Sequence, residues 1–291
     1  MKSNGTYTIQ EIQTSILSVV KYLDAFCKEN DIKYYLMGGS ALGAMRHKGF
    51  IPWDDDLDVF MTFGDYQKFL AVFPKKGDNV TYFLQKENTR EWPLFLSRLC
   101  LNGTTIISDE FKHNLKQHHN VFVDIMCLYS TPDKEWERRC QYYAAQALRV
   151  NALELSSFPQ EEKGKWLMMK LSRLFVNRFT RNYLLNFVRK YEGNKSEQVG
   201  HFFGRARYPR TNFLRKYIGE GNPRYVQFED TLLPVFEKVE EYLVARFGPR
   251  WMEMPDQKTK DMYPVHANFV DLERDYTDYI SQDGKKWTFD A

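Results

Sequence analysis

The stretch MGGSALGAMRHKGFIPWDDDLDVFM, residues 37–61, decides the fold. It begins at the end of the apolar run IKYYLM, residues 32–37, which has the composition and length of a short strand. Two glycines end that strand, and Ser40 is placed to cap the short helix that follows. A proline–tryptophan turn then leads into residues 57–61, LDVFM, which predict a second strand with aspartates at its entrance.

The sequence on both sides of this stretch predicts a mixed α/β domain. Thr8 and Glu11 form a capping-box pattern, and the apolar residues after them recur at helical spacing, so an amphipathic helix is predicted first. Further runs of strand length, separated by glycine, asparagine and charged residues, lie at residues 80–85, 94–101, 104–107 and 121–129. We therefore predict an α/β (α+β) fold in which residues 1–130 form a catalytic core with a mixed sheet flanked by helices.

The second half of the chain has a different pattern. Residues 131–291 are predicted to be a mainly helical region that completes the active site and the acceptor-binding surface, with one helix over residues 236–248 closed by glycine. Residues 161–190 are basic and amphipathic. Such a segment is either a helix packed on the domain with a solvated basic face or a helix that lies on an anionic membrane surface.

Composition excludes some classes of function. The formal charge of +3, from 41 basic and 38 acidic residues, is too small to indicate a nucleic-acid partner. Charged residues interrupt every apolar run, so no stretch reaches the roughly 20 apolar residues of a membrane-spanning helix. The first residues lack the pattern of a signal peptide, and we expect a cytoplasmic protein, with peripheral contact at the inner face of the cell membrane as an option.

Three aspartates predict a metal site. Asp56 and Asp58 flank Leu57, and strand alternation points both carboxylates to one face. Two like charges so placed repel each other unless a cation binds, and oxygen ligands suit Mg²⁺ or Mn²⁺. Asp124 adds a carboxylate inside the run VFVDIMCLY, where burial requires a partner that a shared metal would supply.

Residues before the aspartates predict a phosphate site. Gly38 and Gly39 permit close approach of a ligand to the backbone, while Ser40 and the following helix N-terminus offer hydroxyl and amide donors. A glycine–serine turn followed by an aspartate-bearing strand is suited to holding a nucleotide diphosphate or triphosphate against a cation.

Residues 37–61 resemble the motif of the LicD family, which includes the fukutin-related proteins and belongs to the nucleotidyltransferase-fold superfamily. The runs LSRLCLNGTTII, VFVDIMCLYSTPD and LPVFEKVEEYLVARFGPRWMEMP resemble later family segments in the same order. Phe236 and Phe247 stand where the family more often has proline and tyrosine. The match is weakest over residues 135–225.

The resemblance implies an enzyme that transfers phosphocholine, or a related phospho-alcohol, from a CDP-activated donor such as CDP-choline to a hydroxyl of a cell-surface glycan or its lipid-linked precursor. CMP would be released, as in lipopolysaccharide or teichoic acid biosynthesis. By position, Gly39 and Ser40 would hold phosphate, and Asp56, Asp58 and Asp124 would be the catalytic metal ligands. Mg²⁺ or Mn²⁺ would be the cofactor.

Several other roles stay open at this stage. Arg98 either contacts phosphate or forms a surface ion pair, and Arg46 and Lys48 are placed to contact phosphate or acceptor. His266 either lines the active site or satisfies a local hydrogen bond. Asp124 is one candidate for the base that accepts the acceptor's proton. Two other functions are consistent with the residues: transfer of a nucleoside monophosphate from a nucleoside triphosphate to a small alcohol, and nucleotide or glycan binding without catalysis.

Overall fold

The structure, a computed structural model, describes residues 7–194, 196–204, 207–219, 221–260 and 266–288. Its helices, in chain order, are α1 (Ile9–Glu29), α2 (Gly38–His47), α3 (Phe63–Lys76), α4 (Glu135–Leu155), α5 (Lys163–Phe175), α6 (Arg178–Arg189), α7 (Val239–Phe247) and α8 (Gln257–Lys260). Its strands are β1 (Tyr35–Leu36), β2 (Asp58–Thr62), β3 (Tyr82–Gln85), β4 (Ser97–Leu101), β5 (Thr105–Ile107), β6 (Val121–Ser130), β7 (Gln198–Gly200), β8 (Asn212–Leu214), β9 (Arg224–Phe228), β10 (Thr231–Val235) and β11 (Phe269–Asp271). The predicted α/β fold class is confirmed.

The first helix forms as the sequence predicts. The Thr8 side chain accepts a hydrogen bond from the Glu11 backbone N–H, and the Glu11 carboxylate accepts one from the Thr8 backbone N–H, which completes the capping box. The apolar side of α1, including Ile16 and Leu23, is buried in the main core against the sheet. Burial of this stripe, more than helix propensity, stabilises α1.

The central sheet has the strand order β1-β2-β6-β4-β3. Strand β2 runs parallel to β6, and β4 runs antiparallel to β6, so both flank the same central strand. The far end of β6 pairs with β7, which in turn pairs with β8. The sheet therefore continues across residue 130, the boundary that the sequence pattern suggested between a core and a helical region.

Register places charged residues side by side on this sheet. Asp58 of β2 is the partner of Asp124 of β6, and Asp124 is in turn the partner of Arg98 of β4. Cross-strand partners project to the same face, so these three side chains form a row. The row is a direct product of backbone pairing, because a slip of one residue would turn each side chain to the other face.

Two local predictions around α2 are wrong. The strand predicted over residues 32–37 covers Tyr35–Leu36 alone, because Gly38 takes a positive φ of 48° and the helix begins immediately. Ser40 does not cap α2: the N-cap is Met37, and Ser40 lies within the first helical turn. The early start frees the Ser40 hydroxyl to bond another strand.

The second half of the described chain mixes helices with short strands. Helices α4 to α6 occupy the region where helical patterns dominate, and α7 begins three residues later than the predicted helix. Phe236, at the predicted start of that helix, is instead buried among Tyr35 and Tyr242. Strands β7 to β11 have three to five residues each, too few for alternation to be visible in the sequence. No helix in the described part of the chain has the length and apolar character needed to cross a bilayer.

A buried glutamine fastens the helical region to the sheet, and it yields the first prediction. The Gln141 amide donates to the carbonyl of Ser130, at 2.9 Å, and to that of Val188, at 2.8 Å.

We expect Gln141→Leu to lower the free energy of unfolding by about 2 kcal/mol, because two buried carbonyls lose their donor. Urea denaturation measures this loss. The control Gln10→Leu, at an exposed position of α1, should change stability by less than about 0.5 kcal/mol, and equal effects of the two substitutions would contradict the prediction.

Candidate active site

A cavity of 1190 Å³ opens over the row of charged side chains on the sheet. Asp56, Asp58, Asp124, Arg98 and His266 all contribute to its lining. The structure thus brings together five of the side chains that the sequence analysis selected. Four lie on β2, β4, β6 or the segment before β2, and His266 lies more than 130 residues further along the chain than β6.

Arg98 is the partner of the Asp124 carboxylate. Its Nε donates to Asp124 Oδ1 at 2.7 Å, and its Nη2 lies 3.5 Å from Oδ2. The side chains are 10% and 13% exposed, so this ion pair is buried and is not the surface pair considered from the sequence. The guanidinium also lies over the Phe122 ring, 3.7 Å from its centre, and over Trp92, at 4.5 Å. Arg98 is therefore held rigidly and fixes the orientation of Asp124.

Asp55 anchors the segment at residues 266 and 267 to the active site. Its carboxylate accepts hydrogen bonds from the backbone N–H groups of His266, at 2.9 Å, and Ala267, at 2.7 Å. The His266 Nδ1 lies 3.1 Å from Asp55 Oδ1 and 3.3 Å from Asp56 Oδ2. Both alternatives considered for His266 hold in part, because the imidazole lines the cavity and also makes a local hydrogen bond.

The two carboxylates change the ionisation of His266. Burial lowers the pKa of the imidazole, but its hydrogen bond to Asp55 and the charges of Asp56, Asp55 and Asp58 outweigh burial and raise the pKa to about 9. The ring is therefore cationic at neutral pH. It offsets part of the negative charge of the aspartates.

The remaining carboxylates lack a full set of cationic partners. Burial, followed by the charge of Asp56, raises the pKa of Asp54 to about 8. Burial, followed by the charges of Asp56 and Asp124, raises the pKa of Asp58 well above its ordinary value. Among the described residues, no hydrogen-bond donor reaches the Asp58 carboxylate. This end of the cavity is therefore a site where an added cation would be strongly favoured.

The donor chemistry of this end fits Mg²⁺, although three carboxylates are not gathered around one point. No group of three or more His, Cys, Asp or Glu side chains in the described residues is arranged to hold a metal ion. Asp124 is paired with Arg98, which leaves Asp56 and Asp58 as the nearby carboxylates that have no arginine partner. Two carboxylates, with water and substrate phosphate in the other positions, are a common way for proteins to bind Mg²⁺.

The glycine–serine turn borders the carboxylates but does not contribute to the cavity lining. The Gly38 N–H donates to the Tyr242 hydroxyl at 3.1 Å, and the Ser40 Oγ accepts from the Asp58 backbone N–H at 2.9 Å. A side chain at Gly39 would place its Cβ 3.1 Å from the Asp54 carboxylate. These residues hold α2 tightly against the acidic segment, and their role toward phosphate stays a prediction.

Arg46 and Lys48 lie outside the cavity lining. The Arg46 guanidinium donates to the backbone carbonyls of Trp251 and Glu253, which ties α2 to the segment after α7. Lys48 ends α2 in the left-handed conformation with an exposed side chain. The structure does not place either cation beside the carboxylates.

The cavity lining also contains residues that no sequence pattern marks. Arg149 of α4, Arg246 of α7 and His201 line it together with several aromatic rings. Burial, together with the charges of Arg246 and Arg149, lowers the pKa of His201 to about 4, so these groups lie near one another. No local motif marks them, because they come from three separate parts of the chain. The cavity thus has an acidic part and a basic, aromatic part.

Comparison with known proteins shows which family the domain that carries these residues matches. Residues 31–159 match the family model described as LicD/FKTN/FKRP, nucleotidyltransferase domain. The matched range contains α2, β2, β4 and β6, and with them Asp56, Asp58, Arg98 and Asp124. Residues 31–159 therefore form a domain of the LicD family.

Individual relatives extend this similarity along the chain. Over 276 residues, the chain is 26% identical to the lipopolysaccharide cholinephosphotransferase LicD of Haemophilus influenzae, covering 90% of this chain and 98% of that protein. A shorter segment of 71 residues is 38% identical to an uncharacterized protein of Rickettsia prowazekii, covering 23% of this chain and 27% of that protein. A segment of 70 residues is 37% identical to an uncharacterized protein of Rickettsia typhi, covering 24% and 23%.

The raised pKa of Asp54 predicts a characteristic pH dependence in metal-free protein. Its value moves from 3.8 to about 8, so the folded state keeps a proton that the unfolded state releases. The stability contributed by this group is complete below about pH 4 and is lost as the pH rises through about 8. Asp54→Asn stays neutral, so the stability of wild type relative to this variant should fall across that range.

Thermal unfolding of both proteins in EDTA, at several pH values between about 5 and 8, measures the difference. We expect the melting temperature of Asp54→Asn to increase relative to that of wild type as the pH rises. Parallel pH profiles would show that Asp54 ionises normally in the folded protein.

Proposed function

We propose that this protein transfers phosphocholine, or a related phospho-alcohol, from a CDP-activated donor to a hydroxyl of a surface glycan or its precursor. The observation that supports this most strongly is the row of Asp58, Asp124 and Arg98 on adjacent strands, facing a large cavity. The similarity to a lipopolysaccharide cholinephosphotransferase over nearly the whole length of that relative agrees with the proposal.

The acidic end of the cavity would receive the donor diphosphate. Asp56 and Asp58 would hold Mg²⁺, and the ion, when bound, supplies the positive charge that a diphosphate needs in order to approach several carboxylates. His266 adds a cation beside Asp56, held in place by Asp55. The protein's contribution is to fix the reacting groups in position, which accounts for most of the catalysis in phosphoryl transfer.

Bond changes in the proposed reaction are confined to one phosphorus atom. The acceptor hydroxyl oxygen forms a bond to the phosphorus that carries choline, and the bond from this phosphorus to the bridging oxygen breaks. CMP leaves with that oxygen and its electron pair, and the acceptor proton passes to a base or to water. Asp124 lies in the cavity and is oriented by Arg98, which makes it the first carboxylate to test for this proton transfer.

The basic, aromatic part of the cavity suits the rest of the substrates. Arg149 and Arg246 lie where they can offset anionic groups. Rings such as Phe60, Phe213 and Tyr217 line the same volume. Aromatic faces bind both a pyrimidine base, by stacking, and a quaternary ammonium group, by cation–π attraction.

The activity test is direct. Purified protein with Mg²⁺, CDP-choline and a glycan acceptor should release CMP, measured by chromatography, and form a phosphodiester detected by ³¹P NMR. Asp58→Asn should reduce turnover by at least about 10²-fold, because a neutral amide holds Mg²⁺ less well than the carboxylate, and the reacting phosphates would lose the cation that offsets their charge. Asp133→Asn, an exposed aspartate next to α4, is the matched control and should keep wild-type activity.

The products distinguish the alternatives. Release of pyrophosphate from a nucleoside triphosphate, with no CMP from CDP-choline, would identify a nucleotidyltransferase. Mg²⁺-dependent nucleotide binding without turnover would identify a binding protein. Full turnover by Asp58→Asn would reject the assignment of the acidic end as the reacting centre.

The donor alcohol can be identified by ligand stabilisation. A thermal-shift series with CDP-choline, CDP-ethanolamine, CDP-glycerol and CDP-ribitol compares donors that share one nucleotide and differ in the alcohol. We expect the largest Mg²⁺-dependent shift with CDP-choline, because the tightest ligand raises the melting temperature most at equal concentration. Equal shifts would show that the alcohol is not recognised.

A further inference from the structure

The outer surface of α5 and the start of α6 is covered with exposed apolar side chains. Their exposed fractions run from 43% to 84%. The residues are Trp166, Leu167, Met168, Leu171, Leu174, Phe175, Phe179 and Tyr183. We call this set the α5–α6 face. Isolated apolar residues are normal on a protein surface, but a continuous group of this kind marks an interaction site.

The apolar stripe of α5 points away from the protein. Met169 and Ser172 are the buried residues of this helix. At 100° per residue, Leu167, Leu171 and Leu174 lie on the opposite side. An amphipathic helix in an isolated globular protein turns such a stripe to the core, so the orientation of α5 indicates a partner outside the described part of the chain.

The charge around the α5–α6 face is positive. Residues 163–178 contain five cations and no acid: Lys163, Lys165, Lys170, Arg173 and Arg178. Lys170 and Arg173 both contact the buried Glu154, and Lys165 pairs with Glu162, so part of this charge is already offset. Lys163 and Arg178, at the two ends of the face, have no ion pair among the described residues.

We propose that the α5–α6 face docks on the surface of an anionic lipid bilayer, with both helices lying in the plane of the interface. Leucine and phenylalanine side chains would enter the boundary of the acyl chains, while the lysine and arginine stems extend to the headgroups. Trp166 and Tyr183 are the residue types that favour this boundary. The proposal does not depend on the enzymatic function proposed above.

Charge favours a bilayer over a second copy of the chain. A symmetric dimer through this face would bring the same cations of two chains together, which costs free energy. An anionic bilayer instead attracts each lysine or arginine near its surface. The cavity lies close by in the chain, because Phe158, five residues before α5, contributes to its lining.

Vesicle binding by the purified full-length protein tests the proposal. Vesicles of phosphatidylcholine alone are compared with vesicles that contain about 30% phosphatidylglycerol, by co-sedimentation at low and high salt. We expect binding to the anionic vesicles to exceed binding to the neutral ones by at least about 10-fold and to weaken in high salt, because salt screens the attraction.

Two double variants distinguish vesicle binding through the α5–α6 face from non-specific binding through exposed apolar residues elsewhere. Leu174→Ser with Phe175→Ser removes two of its most exposed apolar groups, and binding to anionic vesicles should fall by at least about 10-fold. Val80→Ser with Leu232→Ser changes exposed apolar residues elsewhere, 87% and 55% exposed, and should leave binding unchanged. Circular dichroism melts confirm that each variant is folded, as expected for exposed positions.

Three results would overturn the proposal. One is absence of binding to anionic vesicles, and another is equal loss of binding in the two double variants. The third is a wild-type dimer, seen by analytical ultracentrifugation, that Leu174→Ser with Phe175→Ser dissociates while vesicle binding is absent. In that case the face would be an interface between copies of the chain.

Discussion

Parallel pairing of β2 with β6 is the constraint on which the site depends. It sets Asp58 directly beside Asp124, and antiparallel pairing of β4 on the other side of β6 adds Arg98 to the same row. Backbone hydrogen bonds thus force two carboxylates together that would otherwise repel. Arg98 balances one of them in a buried ion pair, and the other keeps a raised pKa through burial and neighbouring charge. The fold therefore leaves excess negative charge at the place where a ligand that needs a cation would bind.

The rest of the structure holds this imbalance in place. The Asp55 carboxylate, in the segment before β2, accepts a hydrogen bond from the His266 backbone N–H. The Tyr242 hydroxyl of α7 accepts one from the N–H of Gly38 at the start of α2. Both contacts link the region after α6 to the segment that contains α2 and the aspartates before β2, so the site is built from both halves of the chain. A buried ion pair is itself weak evidence for stability. The role of this ion pair is to orient the site, because Arg98 fixes the direction in which the Asp124 oxygens point.

The sequence predicts the parts of the site that rest on short-range rules. Asp56 and Asp58 both line the cavity, although β2 begins at Asp58 and strand alternation does not extend to Asp56. A buried acid in an apolar strand requires a partner; the sequence assigns that role to a shared metal, and in the structure Arg98 is the partner of Asp124. The partner itself, Arg98, depends on strand order and register, and neither can be obtained from local patterns. For the same reason the sequence predicts a helix cap at Ser40, which the structure does not have. Its actual contact, the Asp58 backbone N–H, exists only once β2 lies beside α2.

Long-range contacts account for the other differences. The Arg46 guanidinium bonds carbonyls about two hundred residues away, and Arg149 and Arg246 meet near His201 from separate helices. Short strands after residue 190 leave no visible period in the sequence. By contrast, the basic and amphipathic character of residues 161–190 was evident, and the structure adds that the apolar side of α5 is turned outward.

A crystal structure of the protein with Mn²⁺ and CMP, with anomalous data collected at the manganese edge, tests the central claim most directly. The account predicts an anomalous peak in the cavity, with carboxylate oxygens of Asp56 and Asp58 within about 2.5 Å of the ion and a phosphate oxygen of CMP completing its shell. A peak at another place, or CMP bound in the cavity with no ion beside these two aspartates, would contradict it.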